Sequence, residues 1–135
     1  MAYWLLRSEP DVFGWDDLVR DGATEWDGVR NYTARNFLKE MKPGDEAFFY
    51  HSNKQKAVVA RMRITRAWQP DGADGQWASV RVEPGEALKR PVTLAEIKAS
   101  KPLAAMEMLR QSRLSVTPVR AGEWQAILAL ADTPA

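Results

Sequence analysis

The chain has 135 residues, of which 45% are hydrophobic and 27% are charged, and its 19 basic and 18 acidic side chains leave a net charge of +1. This length and composition predict one globular domain over residues 1–135, and the near-zero charge excludes a global field that would attract nucleic acid. With no cysteine and one histidine, the chain cannot form disulfides or multi-histidine metal sites, so we expect no metal and no cofactor.

The amino-terminal part of the chain predicts a strand and a short helix. Residues 3–7 form a short apolar run with β-forming aromatic side chains that ends before Pro10. Residues 14–20 predict a helix that Gly22 closes. The amino terminus lacks a basic segment followed by an apolar core, and no apolar run reaches the roughly 20 residues of a membrane helix. The sequence therefore predicts a cytoplasmic protein with no membrane partner.

The stretch 26–53 organises the rest of the chain. It begins with a turn-forming segment, residues 26–32, that is rich in aromatic and hydrogen-bonding groups. A helix should follow, because apolar residues recur at helical spacing between Ala34 and Met41, and Pro43 ends it. Residues 46–52 then predict an apolar strand with a polar end. If the helix packs on this strand, the polar-aromatic ends of the two segments line a single pocket.

The remaining residues predict a β-hairpin and further short helices. Alternating apolar and polar residues indicate strands at 57–65 and 77–83, with a hairpin loop at 69–76 between them. The elements that follow are a helix from Leu94 to about Ala99 with a Thr93/Glu96 capping box, a helix that begins at Pro102, a β-like segment at 113–119, and a helix at about 121–131 with a frayed tail from Asp132.

The order of these elements predicts the fold class. Strands and helices intermix without a regular βαβ alternation, and the clearest strand pair is an antiparallel hairpin. These features predict an α+β protein built on a small, curved, mostly antiparallel sheet or open barrel.

Five sequence blocks contain several rare residues and follow one another along nearly the whole chain. They read YWLLRSEP at 3–10, WDGVRNYTARNFLKEMKPGD at 26–45, FFYHSN at 48–53, RPVTLAEIK at 90–98 and RLSVTPV at 113–119. In these blocks the chain resembles the EVE domain, a member of the PUA-like superfamily. The resemblance implies an incomplete, mostly antiparallel PUA-like β-barrel surrounded by short helices. It also implies nucleic acid as a partner, because EVE domains are associated with binding modified cytosine, such as 5-methylcytosine, in DNA.

The resemblance further implies a ligand pocket. Its residues come from the SEP motif, from the segment before the predicted central helix, and from the end of the strand after that helix. They are Ser8, Glu9, Trp26, Arg30, Asn31, Tyr50, His51, Ser52 and Asn53, with Arg113 and Ser115 at the margin.

Several of these residues allow a second interpretation. Trp26 stacks on a ligand if it lies at a turn, or it packs as an ordinary core residue. Tyr50 and His51 contact a ligand or merely seal the end of the barrel. Glu9 accepts a hydrogen bond from a cytosine amino group, or it holds an arginine in place. Arg30 binds a phosphate or a nearby carboxylate.

These observations lead to three functional hypotheses. The first is a non-catalytic module that accepts a modified base from DNA, or from RNA, because a flipped base needs a flat aromatic wall and a few fixed polar groups. The second is a sensor that holds an anionic metabolite in the same cavity through Arg30 or Arg113. The third is a nucleotide hydrolase with His51 as base and Ser52 as nucleophile, or with Glu9 as acid. We disfavour an enzyme, because neighbouring strand residues point to opposite faces.

Overall fold

A computed structural model describes residues 2–133, which contain six strands, five α-helices and one turn of 3-10 helix. The strands are β1 (Tyr3–Ser8), β2 (Thr24–Trp26), β3 (Glu46–His51), β4 (Ala57–Asp71), β5 (Trp77–Thr93) and β6 (Val116–Val119). The helices are α1 (Trp15–Asp21), α2 (Tyr32–Glu40), α3 (Leu94–Ala99), α4 (Glu107–Arg110) and α5 (Ala121–Asp132), with the 3-10 turn at Lys101–Leu103. The last two residues of the expected carboxy-terminal tail lie outside the described part.

The six strands form one open sheet in the order β2-β5-β4-β3-β1-β6. The neighbours β1 and β3 run parallel, and the other neighbouring pairs are antiparallel. This mixed, mostly antiparallel sheet with short helices confirms the predicted α+β class and its incomplete barrel. None of the described helices has the length and apolar character needed to cross a bilayer.

Apolar cores cover both faces of the sheet. Successive side chains of β1 and β3 alternate between the two cores, so that Leu6 and Phe49 pack in one while Leu5 and Phe48 pack in the other. Trp124 of α5 stacks on Phe48 with the ring centroids 3.8 Å apart and fills the second core. Burial on both faces explains why these strands read as continuous apolar runs. The same alternation continues to the polar ends of the strands, where the candidate functional site lies.

Asp45 fixes β1 and β3 side by side at their beginnings. Its buried carboxylate accepts hydrogen bonds from the backbone N–H groups of Ala2 and Lys42, each at 3.0 Å, and from the indole Nε1–H of Trp4 at 3.1 Å. Burial alone would raise the pKa of Asp45, but these donors outweigh it, so the pKa lies below its ordinary value. The Asp45 carboxylate therefore joins the two parallel strands at their beginnings, which is the opposite end of the strands from the candidate site.

The strands β4 and β5 are longer than the sequence predicts. The strand β5 continues through Pro84 and Pro91, where the residue pattern indicates an irregular stretch. Among the described residues β2 pairs with β5 only at positions 80–82. Beyond those positions β5 has a free edge, and a proline on a free edge leaves no ladder hydrogen bond unmade.

The single helix predicted from Pro102 is wrong. The chain forms the 3-10 turn, then an extended residue at Met106 with φ −60° and ψ 135°, and then the short helix α4. Leu103 and Met106 are nevertheless both buried. The 3-10 turn and α4 together bury residues at the spacing of a single helix. Apolar periodicity alone cannot distinguish these two short elements from one continuous helix.

Candidate functional site

Two cavities open where β1 and β3 end. The first, which we call the tryptophan cavity, has a volume of about 390 Å³ and is lined by Arg7, Ser8, Val12, Phe13, Thr24, Glu25, Trp26 and Asp27. The second, which we call the basic cavity, has a volume of about 370 Å³ and is lined by Arg7, Tyr50, Ser52, Asn53, Lys56, Leu94, Lys98, Met108, Leu109 and Ser112. Arg7 lines both cavities.

Strand alternation explains why there are two cavities where the sequence predicts one. Arg7 lies opposite Tyr50 in the β1–β3 register, and its guanidinium lies over the Tyr50 ring, 5.4 Å from the centroid. Ser8, one residue further along β1, points to the opposite face. The predicted residues Ser8 and Trp26 therefore line the tryptophan cavity, and Tyr50, Ser52 and Asn53 line the basic cavity.

Trp26 forms a wall of the tryptophan cavity from a strand. The sequence predicts a turn at this position, but Trp26 ends β2 and pairs with Val80 of β5. Its ring meets Phe49 edge-on at 5.5 Å, and 8% of the residue is exposed. Trp26 is therefore both a core residue and a cavity wall, so the two interpretations of it are compatible.

The hydroxyl of Ser8 faces the loop that closes the tryptophan cavity. Its Oγ donates a hydrogen bond to the carbonyl oxygen of Phe13 at 2.6 Å, and the carbonyl of Ser8 accepts from the N–H of Ser52 at 2.9 Å. The loop is held by the carbonyl of Glu9, which accepts from the N–H groups of Val12 and Phe13. Since its proton is engaged, the Ser8 hydroxyl can offer a ligand its lone pairs.

Two carboxylates line the tryptophan cavity, and they differ in their partners. Both terminal guanidinium nitrogens of Arg66 bind the Glu25 carboxylate, one of them at 2.9 Å. Asp27 is exposed and has no ion-pair partner within residues 2–133. Asp27 is thus the lining carboxylate that is available to accept a hydrogen bond from a ligand.

Arg7 fixes the boundary between the two cavities. One terminal nitrogen donates to the carbonyl of Ser112, and the other donates to the carbonyl of Met108 at 3.3 Å. Burial lowers the pKa of Arg7, and burial likewise raises the pKa of the Tyr50 phenol beneath it. The guanidinium is therefore a half-buried cation held by backbone carbonyls.

Comparisons with known proteins identify the family. The family model described as the EVE domain matches residues 2–130. This chain belongs to the EVE domain family. The mouse protein named thymocyte nuclear protein 1 is 36% identical to it over 97% of this chain and 74% of the mouse protein.

Solved structures support the same assignment. The human THYN1 protein in complex with 5-methylcytosine-containing DNA is 34% identical to this EVE-family chain, with a TM-score of 0.94 and all of both chains covered. A Rhodopseudomonas palustris protein solved by NMR is 43% identical, with a TM-score of 0.93 over 98% of this chain and 94% of that one.

His51 has a structural role in this EVE-family protein. Its Nε2 accepts a hydrogen bond from the backbone N–H of Trp15 at 3.1 Å, so the proton is on Nδ1, which lies 2.7 Å from Oε1 of Gln55. The ring also meets Phe49 edge-on at 5.4 Å. Both ring nitrogens are thus engaged in joining the start of α1 to the end of β3.

Arg30 and Asn31 have local partners and line neither cavity. Arg30 donates to the Asp71 carboxylate at 3.0 Å and lies over the Trp77 ring, 5.5 Å from the centroid. Asn31 is the N-cap of α2, and its Oδ1 accepts from the N–H of Ala34 at 3.0 Å. The carboxylate alternative for Arg30 is the one that the structure shows.

Three other predicted residues also lie outside the lining of both cavities. Glu9 and Arg113 are exposed, and Ser115 contributes its carbonyl oxygen, which accepts from the N–H of Arg7 at 2.9 Å. Ser115 therefore supports Arg7 through the backbone. No cluster of three or more histidine, aspartate or glutamate residues within 2–133 is placed to hold a metal ion.

The sequence interpretation missed several polar residues of the two cavities, among them Arg7, Asp27, Lys56 and Lys98. Arg7 directly precedes Ser8 in the SEP motif, and strand alternation could have placed it on the Tyr50 face. Asp27 follows Trp26 and is one of the carboxylates near Arg30 in the sequence, so its proximity suggests an ion pair and not a ligand contact. Lys56 and Lys98 belong to a turn and to an exposed helix position, where a lysine carries no signal in a single sequence.

Proposed function

We propose that this protein is a non-catalytic nucleic-acid-binding module that accepts a base, of the modified cytosine type, in the tryptophan cavity. The observation that carries the proposal is the arrangement of an aromatic wall, Trp26, with a free carboxylate at Asp27 and a hydroxyl at Ser8 around one open cavity. The family relationship and the DNA that the human relative binds support it.

The energetics require both stacking and polar contacts. Stacking on an aromatic side chain contributes about 1–3 kcal/mol per base, which is comparable to the few kcal/mol that extraction of a base from a duplex costs. Stacking alone therefore does not select a base. A cytosine offers its amino group as a donor, and Asp27 is positioned as an acceptor on the cavity lining. Val12 and Phe13 supply apolar contacts for a 5-methyl group.

The test measures binding of oligonucleotides with one cytosine or one 5-methylcytosine, as single strands, duplexes and RNA, at two salt concentrations. Trp26→Phe keeps an apolar core residue but reduces the stacking surface, so we expect it to weaken binding several-fold. Trp68→Phe is the matched control, because Trp68 is 37% exposed and lines neither cavity. Equal, weak binding to all oligonucleotides, or equal losses in the two variants, would remove the proposal.

The geometry favours binding over catalysis. The hydrolase hypothesis needs a free base at His51, but both of its ring nitrogens are engaged. Ser52 lines the basic cavity, on the other face of the sheet from His51. The metabolite hypothesis uses Arg30 or Arg113 in the tryptophan cavity, and neither lines it. A turnover that is lost in His51→Ala would restore the hydrolase hypothesis.

The domain organisation and location stay predictions. We propose that residues 1–135 form one domain and that the protein is cytoplasmic. The vertebrate relatives are named as nuclear proteins, so imaging of the tagged chain in its own cells is the measurement that decides the location.

A further inference from the structure

The basic cavity gathers positive charge without a counter-charge. Arg7, Lys56 and Lys98 line it, and its described lining contains no carboxylate. None of the three cations has an ion-pair partner within residues 2–133. Like charges that share a cavity repel one another, and a bound anion would convert this repulsion into attraction.

Arg7 is a preorganised donor at one side of this cavity. Carbonyl oxygens of Ser112 and Met108 hold its terminal nitrogens, and Tyr50 lies under its plane. Its Nε is buried and has no hydrogen-bond partner among the described residues. A cation that is partly desolvated and held by neutral dipoles gains more from a nearby anion than a fully hydrated one does.

Backbone strain is concentrated at the same cavity. Two non-glycine residues of the described chain have a left-handed backbone, Asn53 with φ 69° and Lys56 with φ 49°. Both line the basic cavity. Asparagine tolerates this conformation, whereas a lysine adopts it at a cost. The N–H of Leu94 donates to the Lys56 carbonyl at 2.8 Å and holds the strained turn in place. Strained residues of this kind cluster at ligand sites.

We infer that the basic cavity is a phosphate site, and that it holds the phosphate of the nucleotide whose base lies in the tryptophan cavity. The second half rests on the proposed function and on Arg7, which lines both cavities and so marks the place where one nucleotide would reach from one cavity to the other. Backbone carbonyls already bind both terminal nitrogens of Arg7, so an anion in this cavity is held by three separate cations and not by one bidentate fork. A phosphate offers several acceptor oxygens to separate donors, which matches two lysines and one arginine.

The apolar part of the same cavity suits the rest of a nucleotide. Leu94, Met108 and Leu109 line it beside the cations, and they provide a surface against which a sugar can pack. A simple inorganic anion would use the cations and leave this surface unused. The inference therefore predicts tighter binding of a nucleotide than of inorganic phosphate.

The test compares two double variants that remove the same charge. Lys56→Gln with Lys98→Gln removes two exposed cations of the basic cavity, and Lys42→Gln with Lys101→Gln removes two exposed lysines that line neither cavity. Calorimetric titrations use inorganic phosphate, deoxycytidine, deoxycytidine 5′-monophosphate, and DNA with one 5-methylcytosine. Unfolding midpoints of all variants show that each is folded.

We expect the first double variant to bind inorganic phosphate and the nucleotide about tenfold more weakly than the parent, equivalent to about 1.4 kcal/mol. Its affinity for deoxycytidine should not change, and the control double variant should behave as the parent does. If the two double variants bind phosphate and nucleotide equally, or the parent binds neither, the phosphate site is wrong.

Two further outcomes are informative. One distinguishes a free nucleotide from a nucleic-acid strand as the source of the phosphate, and the other distinguishes failure of the proposed function from failure of the phosphate site. If the nucleotide and inorganic phosphate bind more weakly but DNA does not, the site serves a free nucleotide, and the assignment to a nucleic-acid strand is overturned. If phosphate binds to the parent and neither deoxycytidine nor the DNA with 5-methylcytosine does, the base-reading proposal fails while the phosphate site stands.

Discussion

Lys56 combines an unfavourable backbone conformation with a position in the basic cavity. Its φ of 49° costs a residue with a side chain roughly 1–2 kcal/mol, and a glycine loses about 0.5–1 kcal/mol more entropy on folding. We therefore expect Lys56→Gly to keep the free energy of unfolding or to raise it by up to about 1 kcal/mol. The same change should weaken phosphate binding, because the cation is lost.

Urea denaturation and phosphate titration measure the two effects of Lys56→Gly. Asn53→Gly is the control for the backbone, since asparagine accepts a left-handed conformation and its replacement should give a smaller gain. A clear loss of stability in Lys56→Gly would show that the lysine side chain stabilises the turn. The left-handed conformation of Lys56 would then not be an energetic cost that the fold bears in order to bind a ligand.

The site residues show what a sequence can identify at this scale. The motifs indicate Ser8 and Trp26, and both line the tryptophan cavity. They also indicate Asn31, but its side chain caps α2. A polar side chain next to a helix start can bind a ligand or the helix N–H groups, and the residue type suits both. Only coordinates show which of the two partners it has.

Among the structural elements, the long hairpin of β4 and β5 depends on one close backbone approach. A Cβ added at Gly85 would lie 2.8 Å from the carbonyl oxygen of Arg61, where the β4–β5 register shifts between Ala60 and Met62. Backbone atoms cannot move aside cheaply, so we expect Gly85→Ala to lower the free energy of unfolding by about 1–3 kcal/mol. Urea denaturation measures this change.

The control for Gly85→Ala is a glycine with open space around it. A Cβ at Gly122, in α5, meets no atom within 4 Å. Gly122→Ala should therefore be neutral or stabilise the protein by up to about 1 kcal/mol, because alanine favours helices. Similar effects of the two substitutions would contradict the close approach at Gly85.

The start of α3 makes stability depend on pH. The Glu96 carboxylate accepts from the N–H of Thr93 at 3.1 Å and binds Arg90 through two hydrogen bonds of 2.8 and 2.7 Å. Arg90 is the main cause that lowers the pKa of Glu96 from 4.5 to about 2. A lowered carboxylate pKa contributes stability above the unfolded-state pKa, and this contribution declines as the pH falls from about 4.5 towards 2.

Glu96→Gln separates the charge from the cap. Glutamine can still bind the Thr93 N–H, so only the ion pair with Arg90 is lost. We expect a loss of about 1 kcal/mol at neutral pH, since the pair is partly exposed. The difference from the parent should shrink below about pH 4.5. Glu40→Gln, at an exposed position of α2, is the control, and a difference that stays constant across pH would contradict the assignment.

At the element scale, the sequence predicts what has a clear period. The helix α2 and strand β3 have long apolar patterns and match their predicted positions closely. The strand β2 has three residues, which is too short for a period-two pattern to appear. Pro84 can lie in β5 because β2 does not pair with that part of the strand. Which strands neighbour one another is tertiary information, and a local sequence pattern does not contain it.

For the whole molecule, the location of unpaired charge matters more than the net charge of +1. Several arginines are bound to carboxylates within the fold, as in Arg66 with Glu25, Arg61 with Glu86, and Arg90 with Glu96. The basic cavity instead gathers cations without carboxylates in its described lining. A protein that is almost neutral overall can therefore present a local positive site. Because the net charge is close to zero, any hypothesis of nucleic-acid binding for this chain depends on such a site.

This local site gives a prediction about salt. Each neutralised phosphate contributes a slope of about −0.9 for duplex DNA, or about −0.7 for a single strand, to a plot of log affinity against log salt concentration. If the basic cavity holds one strand phosphate, the slope for DNA with 5-methylcytosine should become less steep by about that amount in the Lys56→Gln, Lys98→Gln variant. The Lys42→Gln, Lys101→Gln variant should keep the parent slope, because its lysines line neither cavity. Fluorescence anisotropy at several salt concentrations provides the slopes. The same change in both variants would show that the lysines act through the overall charge of the protein and not through a phosphate held in the basic cavity.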